Sequence, residues 1–248
     1  MGPDVEGDML SGGVKNIPDV MLGQLSPSEK FVLYALEIGA LELIPEGRKL
    51  KSGRISPYFF NSGLFNTGKP LTKLTEAYID ALVTGNHIAM PDVIFGPSYK
   101  GIPLATAISL MLAVKNDIDV GYAFNRKEAK GHGEGGIMVG ASLQGKKVVI
   151  VDDVITTGTS SEEAVEIIHT NGGLPVGCVI AFDRQECSPD SDLSAVQEFN
   201  CKNNVPVVAA ATLADLISVL EKIPADSGDD NFGEILNSIL EYQNKYGI

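Results

Sequence analysis

The pattern of hydrophobic and polar positions changes character near residue 25. Residues 1–24 are rich in Gly, Asp and Pro and carry no period, which predicts a loosely ordered extension. Ser26-Pro27-Ser28-Glu29 reads as a helix start, a capping-box pair with proline in the first helical position. The apolar spacing of FVLYALEIGALELI predicts that this helix runs on over 31–44. Residues 46–68 are polar and glycine-rich around the aromatic run Tyr58-Phe59-Phe60, and a second helix is expected from about Leu71 to Val83.

A rhythm then sets in. DVIFG (92–96), DVGYAF (119–124), KVVIVDD (147–153) and VGCVIAF (176–182) are short, nearly continuous apolar runs. Between them lie an apolar helix near 102–114 and a helix ending near His169, stopped by Asn171-Gly172-Gly173. Strands of this kind alternating with helices predict an α/β fold with a central, mostly parallel sheet flanked by helices on both faces. Residues 223–231 read as a linker to a short C-terminal helix over about 232–245.

Each of the four strands is expected to empty into a polar loop. The sets are Tyr99-Lys100; Arg126-Lys127 with Lys130 and His132; Asp152-Asp153 with Thr156 to Ser161; and Asp183-Arg184. Ligands of open α/β sheets bind outside the carboxyl ends of the strands, so these loops are expected to face one crevice. Thr156-Thr157-Gly158-Thr159-Ser160-Ser161 lies between a strand end and a helix start. Outward-pointing amides, the helix dipole, small hydroxyls and a glycine that admits close approach make such a loop a cradle for one phosphate. The aspartate pair just before it repels phosphate but suits sugar hydroxyls or a cation. A phosphate and a diol held close together describe a ribose 5-phosphate.

Composition narrows the field. The 248 residues carry a net charge of −13, a poor basis for binding nucleic acid or an anionic membrane. Cys178, Cys187 and Cys201 show no metal spacing, which suggests reduced thiols and a cytoplasmic protein. No apolar run is long enough to span a membrane, and the first ten residues lack a basic segment typical of a signal peptide. Two motifs mislead. Gly63 to Lys69 fits most of a P-loop, but Pro70 stands where the Mg2+-binding hydroxyl belongs and no buried strand precedes it. Gly131-His132-Gly133-Glu134-Gly135-Gly136 lacks dinucleotide-fingerprint spacing and reads as a mobile loop. His87 and His169 are expected on helix surfaces, with no zinc spacing between them.

VVIVDDVITTGTSS resembles the phosphoribosyl-pyrophosphate (PRPP) signature of the type I phosphoribosyltransferases. With LKSGRISPYFFNSGLFNTGK, FGPSYKGIPLA, FNRKEAKGHGEGG and FDRQE, five blocks in order over residues 28–222, the chain is similar to the orotate phosphoribosyltransferases. It departs from that pattern at Thr157, where Ala is usual, and at Gly131, where Asp is usual. The resemblance implies a phosphoribosyltransferase domain over 25–222, with a small hood formed by N-terminal segments. It implies transfer of the phosphoribosyl group from PRPP to orotate in pyrimidine synthesis, with Mg2+ as cofactor held mainly by PRPP and water. Asp152 and Asp153 would hold the ribose hydroxyls, and Thr156, Thr157, Gly158, Thr159 and Ser160 the 5′-phosphate, with Val154 and Ile155 also in the PRPP site. Lys100, Arg126, Lys127, Lys130 and His132 would bind the pyrophosphate, with Tyr99 also in the PRPP site and with Lys130, His132 and the two aspartates catalytic. Lys51, Phe59, Phe60, Thr156 and Arg184 would form the orotate pocket. A homodimer with shared sites is expected, since the Arg126 loop carries more cations than one ribose phosphate requires. Two other readings stay open: a phosphoribosyltransferase for another base, and a PRPP-binding regulator without catalysis.

Overall fold

A computed structural model describes residues 23–84, 87–130, 136–156, 158–188, 191–223 and 232–248. The expected extension over 1–24 and linker over 223–231 therefore fall almost entirely outside the described residues.

Helix α1 (Pro27–Glu37) opens as its sequence predicts: Ser26 Oγ accepts from the Glu29 amide at 3.1 Å, and Glu29 Oε2 accepts from the Ser26 amide at 2.8 Å. It does not run on to residue 44. Gly39 adopts a left-handed φ of +71° and ends the helix, and Leu41–Lys49 form strand β1 instead. β1 pairs antiparallel with β2 (Ile55–Phe60), so the stretch expected as an irregular segment is half of a hairpin. A 3-10 turn (Ser62–Leu64) leads into α2 (Gly68–Thr84).

Next come β3 (Val93–Gly96), α3 (Gly101–Asn116), β4 (Gly121–Lys130), β5 (Gly136–Gly140), β6 (Lys147–Asp152), α4 (Thr159–Thr170) and β7 (Leu174–Asp183). α5 (Ala195–Asn203), β8 (Val207–Thr212), α6 (Leu213–Lys222) and α7 (Phe232–Tyr246) complete the described chain. Among the described residues six strands form one sheet in the order β5-β4-β3-β6-β7-β8, parallel except for the β4–β5 pair. The expected α/β fold is present. The polar stretch after residue 124, expected as a loop, instead continues β4 to Lys130, because β5 supplies it with an antiparallel partner. His87 lies in a bend beyond α2 rather than on a helix; His169 sits exposed on α4.

The sheet is buried on both faces, which explains why its strands read as unbroken apolar runs. Along β3, β6 and β7 alternate residues serve opposite sides, as the twofold side-chain period requires. Ile94, Val149, Val151, Val179 and Ala181 join one core with α1, α2, α3, α6 and the hairpin, while Val93, Phe95, Val148, Ile150 and Ile180 join a second core with α4. α3 and α4 thus cover opposite faces, although β3 and β6 are neighbours. The loops leaving these strands part company, and a crevice opens at their carboxyl ends.

Candidate active site

Asp152 ends β6. From Val148 on the strand before it is buried, and the Asp152 residue itself is 7% exposed. The Tyr78 hydroxyl donates to the Asp152 carbonyl at 2.6 Å, and Asp152 Oδ1 accepts from the Asp153 amide at 2.9 Å. Burial, and then the negative charge of Asp153, push the Asp152 carboxyl up to about 6, against the pull of the Asp153 amide, the Ser160 hydroxyl and Lys100. Asp153 lies one residue further out. Its Oδ2 accepts from Ser62 Oγ at 2.7 Å and forms an ion pair with Lys100. Lys100 Nζ also reaches Ser62 Oγ at 3.3 Å. Three separate segments therefore meet at one carboxylate: the turn after β2, the loop after β3 and the end of β6.

The loop carrying Lys100 is drawn in by two bare backbones. A Cβ on Gly96 would stand 1.9 Å from the Gly101 carbonyl oxygen, so only glycine lets α3 begin this close to β3. The Ser98 amide donates to Asn125 Oδ1 on β4 at 3.0 Å, and Tyr99 projects outward, 70% exposed.

Beyond Asp153, Val154 and Ile155 pack into the two apolar cores and anchor the loop, leaving Thr156 exposed. Gly158 turns through a left-handed φ of +75° to start α4, with Thr159 and Ser160 exposed on its first turn and Ser161 buried. First-turn amides, the hydroxyls of Thr159 and Ser160 and the positive end of the helix dipole together make a helix start of the kind that suits a phosphate. Thr157 lies outside the described residues.

Arg184 follows β7 and is largely buried. Its Nε donates to Glu186 Oε1 at 2.8 Å, its Nη2 to Ser56 Oγ at 3.0 Å, and its guanidinium lies 4.5 Å from the centre of the Tyr58 ring. Ser56 and Tyr58 belong to β2, so the hairpin bearing Lys51 at its exposed turn is tied to Arg184. Of the two phenylalanines, Phe59 is half-buried under the Arg48 guanidinium at 4.0 Å. Phe60 stacks on Phe182 at 5.5 Å within the core, so its ring supports the hairpin from beneath. Arg126 and Lys127 lie on β4, half-buried and exposed respectively, and Lys130 is that strand's last residue. His132 and the glycines around it lie outside the described residues.

Ser62 and Glu186 were not singled out by sequence reasoning, although both lie inside the quoted blocks. Ser62 is marked only by its distant partner Asp153, and Glu186, though two residues from Arg184, is fixed by Tyr58 and Arg54 far along the chain. Among the described residues no three His, Cys, Asp or Glu side chains group as a metal cage. A Mg2+ held through substrate phosphates needs only one or two protein carboxylates, and Asp152 and Asp153 suit that lesser demand.

Two carboxylates beside a glycine-led helix start, placed where the strand order reverses, mark the position at which open α/β sheets bind their ligands. Comparison with known proteins narrows this. The family described as "Phosphoribosyl transferase domain" matches residues 77–213. The orotate phosphoribosyltransferase of Bordetella petrii is 48% identical over 235 residues, covering 92% of this chain and all of that one. That of Shigella sonnei is 48% identical over 199 residues, covering 80% and 89%. The crystal structure of the Francisella tularensis orotate phosphoribosyltransferase superposes with a TM-score of 0.75 at 38% identity, covering 88% of this chain and all of that chain. The chain belongs to the phosphoribosyltransferase family, among its orotate phosphoribosyltransferases.

Proposed function

We propose that the protein transfers the 5-phosphoribosyl group of PRPP to orotate, giving orotidine 5′-monophosphate and pyrophosphate in pyrimidine biosynthesis. The observation that carries this reading is the acidic end of β6 running directly into the phosphate cradle of α4. Asp152 and Asp153 accept from the ribose hydroxyls, and the loop through Ser160 holds the 5′-phosphate. Lys100, Arg126, Lys127, Lys130 and His132 serve the pyrophosphate. Lys51, Phe59 and Arg184 receive orotate beside Thr156, with Phe60 behind them. Two guanidiniums, Arg184 and Arg54, set against the single carboxylate of Glu186, favour an anionic base.

Displacement at the anomeric carbon builds positive charge on the ribose and negative charge on the leaving group. Mg2+ bound with PRPP supplies neutralisation of that leaving charge. The protein's part is to fix the ribose through paired acceptors, hold the phosphate, present the base and set cations at the departing pyrophosphate. No nucleophilic side chain is required.

A second copy of the chain completes the assembly. α3 is apolar nearly all round and leaves Leu110 and Val114 61% and 71% exposed, beside a sheet edge that exposes Tyr122 and Ile137. Such a face suits burial against a like surface. No described helix is long and apolar enough to cross a membrane, and with a net charge of −13 a cytoplasmic enzyme that binds no nucleic acid is the reading the chain supports. The test is the fall in orotate absorbance with PRPP and Mg2+ present. Turnover that needs all three is expected; turnover of another base in preference to orotate overturns the assignment.

A further inference from the structure

Arg184 does not stand alone, and what holds it comes from its own loop and from two distant parts of the chain. Glu186 Oε1 takes Nε of Arg184 at 2.8 Å and Nη2 at 2.6 Å, and also accepts from the Tyr58 hydroxyl at 3.2 Å. Its other oxygen, Oε2, accepts from Arg54 Nη1 at 3.2 Å. All three charged side chains are largely covered: 17%, 11% and 14% exposed for Arg184, Glu186 and Arg54. Water does not screen a cluster of this kind as it screens a surface pair, so removing its one anion leaves two cations facing each other. Arg54 is held in turn by Tyr246 at the end of α7, whose ring centre is 4.5 Å from the guanidinium. The backbone repeats the tie: Glu186 bridges Gly247, the Cys187 amide donates to the Tyr246 carbonyl at 2.8 Å, and the Ile248 amide to the Gln185 carbonyl at 3.1 Å.

We propose that Glu186 is a positioning residue for base recognition, fixing the Arg184 guanidinium, and that Arg54 and the C-terminal segment at Tyr246–Ile248 hold Glu186 in turn. The physical ground is geometric. The bonds to Glu186 and Ser56 consume Nε and Nη2 and so orient the planar guanidinium, while neither uses Nη1. A guanidinium with its plane already set loses little freedom when it meets a planar carboxylate or base edge. PRPP is not served by this cluster, since its acceptors and cradle hang on β6 and α4. The effect should therefore fall on one substrate only. The inference rests on the reading of Arg184 as an orotate-binding residue, and its test separates the two.

Calorimetric titration of orotate and of PRPP, with steady-state KM for each, is measured on the full chain for Arg184→Ala, Glu186→Gln and Glu186→Asp. Glu186→Gln is expected to weaken orotate about 10-fold or more while PRPP affinity stays within twofold, and Glu186→Asp to recover part of the loss. Orotate binding unchanged in Glu186→Gln but lost in Arg184→Ala overturns the positioning role and leaves the pocket assignment standing. Orotate binding unchanged in Arg184→Ala overturns the pocket assignment, and the positioning role with it. Equal weakening of both substrates makes Glu186 a general strut and also overturns the proposal. Should Glu186→Gln fail to fold, Tyr246→Leu, which releases Arg54 and leaves the charges in place, must show the same split in favour of PRPP; equal loss of both substrates overturns the proposal.

Discussion

Asp152 carries opposed demands in one side chain. Its carboxyl titrates at about 6 in the fold against an ordinary 3.8. Between those values the folded chain keeps a proton that the unfolded chain has lost. Stability therefore falls as pH rises through that window and stays lowered above it, by about 3 kcal/mol on the size of the shift. Asp152→Asn, which keeps an acceptor for the Asp153 amide, is expected to raise Tm at pH 7.5 without substrate, with the gain gone near pH 4. The same change should weaken PRPP about 10-fold or more, having removed a charged acceptor. A calorimetric scan and a titration read the two effects separately. If Asp152 meets the ribose as proposed, the charge that costs the fold stability is the one the sugar requires. Lys130, at the end of β4, belongs to the same scale. If it meets the pyrophosphate as charge develops there, Lys130→Ala should lower kcat by about 100-fold and change PRPP KM much less. A change confined to KM would make it a simple binding charge.

Between elements, the clearest joint is the one from α1 to α6. Glu29 caps its own helix and also accepts from Ser218 at 2.7 Å and pairs with Lys222. Burial raises the Glu29 carboxyl, but the bonds from Lys222, Ser218 and the Ser26 amide outweigh it and bring it down to about 2 from 4.5. The resulting stability is fully present above about 4.5 and is lost as pH falls toward 2. Glu29→Gln should therefore lower Tm at pH 7, with the difference from the unsubstituted chain shrinking below pH 4.5 and vanishing near 2. Thermal unfolding across that range checks it. This cap was legible in the sequence because Ser26, Pro27 and Glu29 are neighbours; the onward tie to Lys222 was not. The same division runs through the site. The β6–α4 junction could be read because strand, carboxylates, cradle and helix follow one another in the chain. Ser62 reaches Asp153 from 91 positions away and Tyr58 reaches Glu186 from 128, contacts that only the packed sheet creates. The helix expected to extend past Gly39 and the loop expected after Phe124 misled for a related reason. A hairpin partner turned each into strand, and propensity is overridden where pairing is available.

At the scale of the whole molecule, the exposed face of α3 makes a prediction about assembly. If a second copy packs on this face and completes the sites as proposed, replacing Leu110 and Val114 together by Lys should abolish that association and most of the activity. Sedimentation at assay concentration reads the first. A monomer that keeps full activity would separate catalysis from assembly.

The bridge between Glu186 and Gly247 also has a practical side. An affinity tag, a fluorescent fusion or a surface linker joined after Ile248 starts one residue from the bridge beside Arg184. Immobilisation through Ile248 would pull on the residues beside Arg184, and if Arg184 receives the base as proposed, a tethered assay would report a weaker base affinity that belongs to the tether.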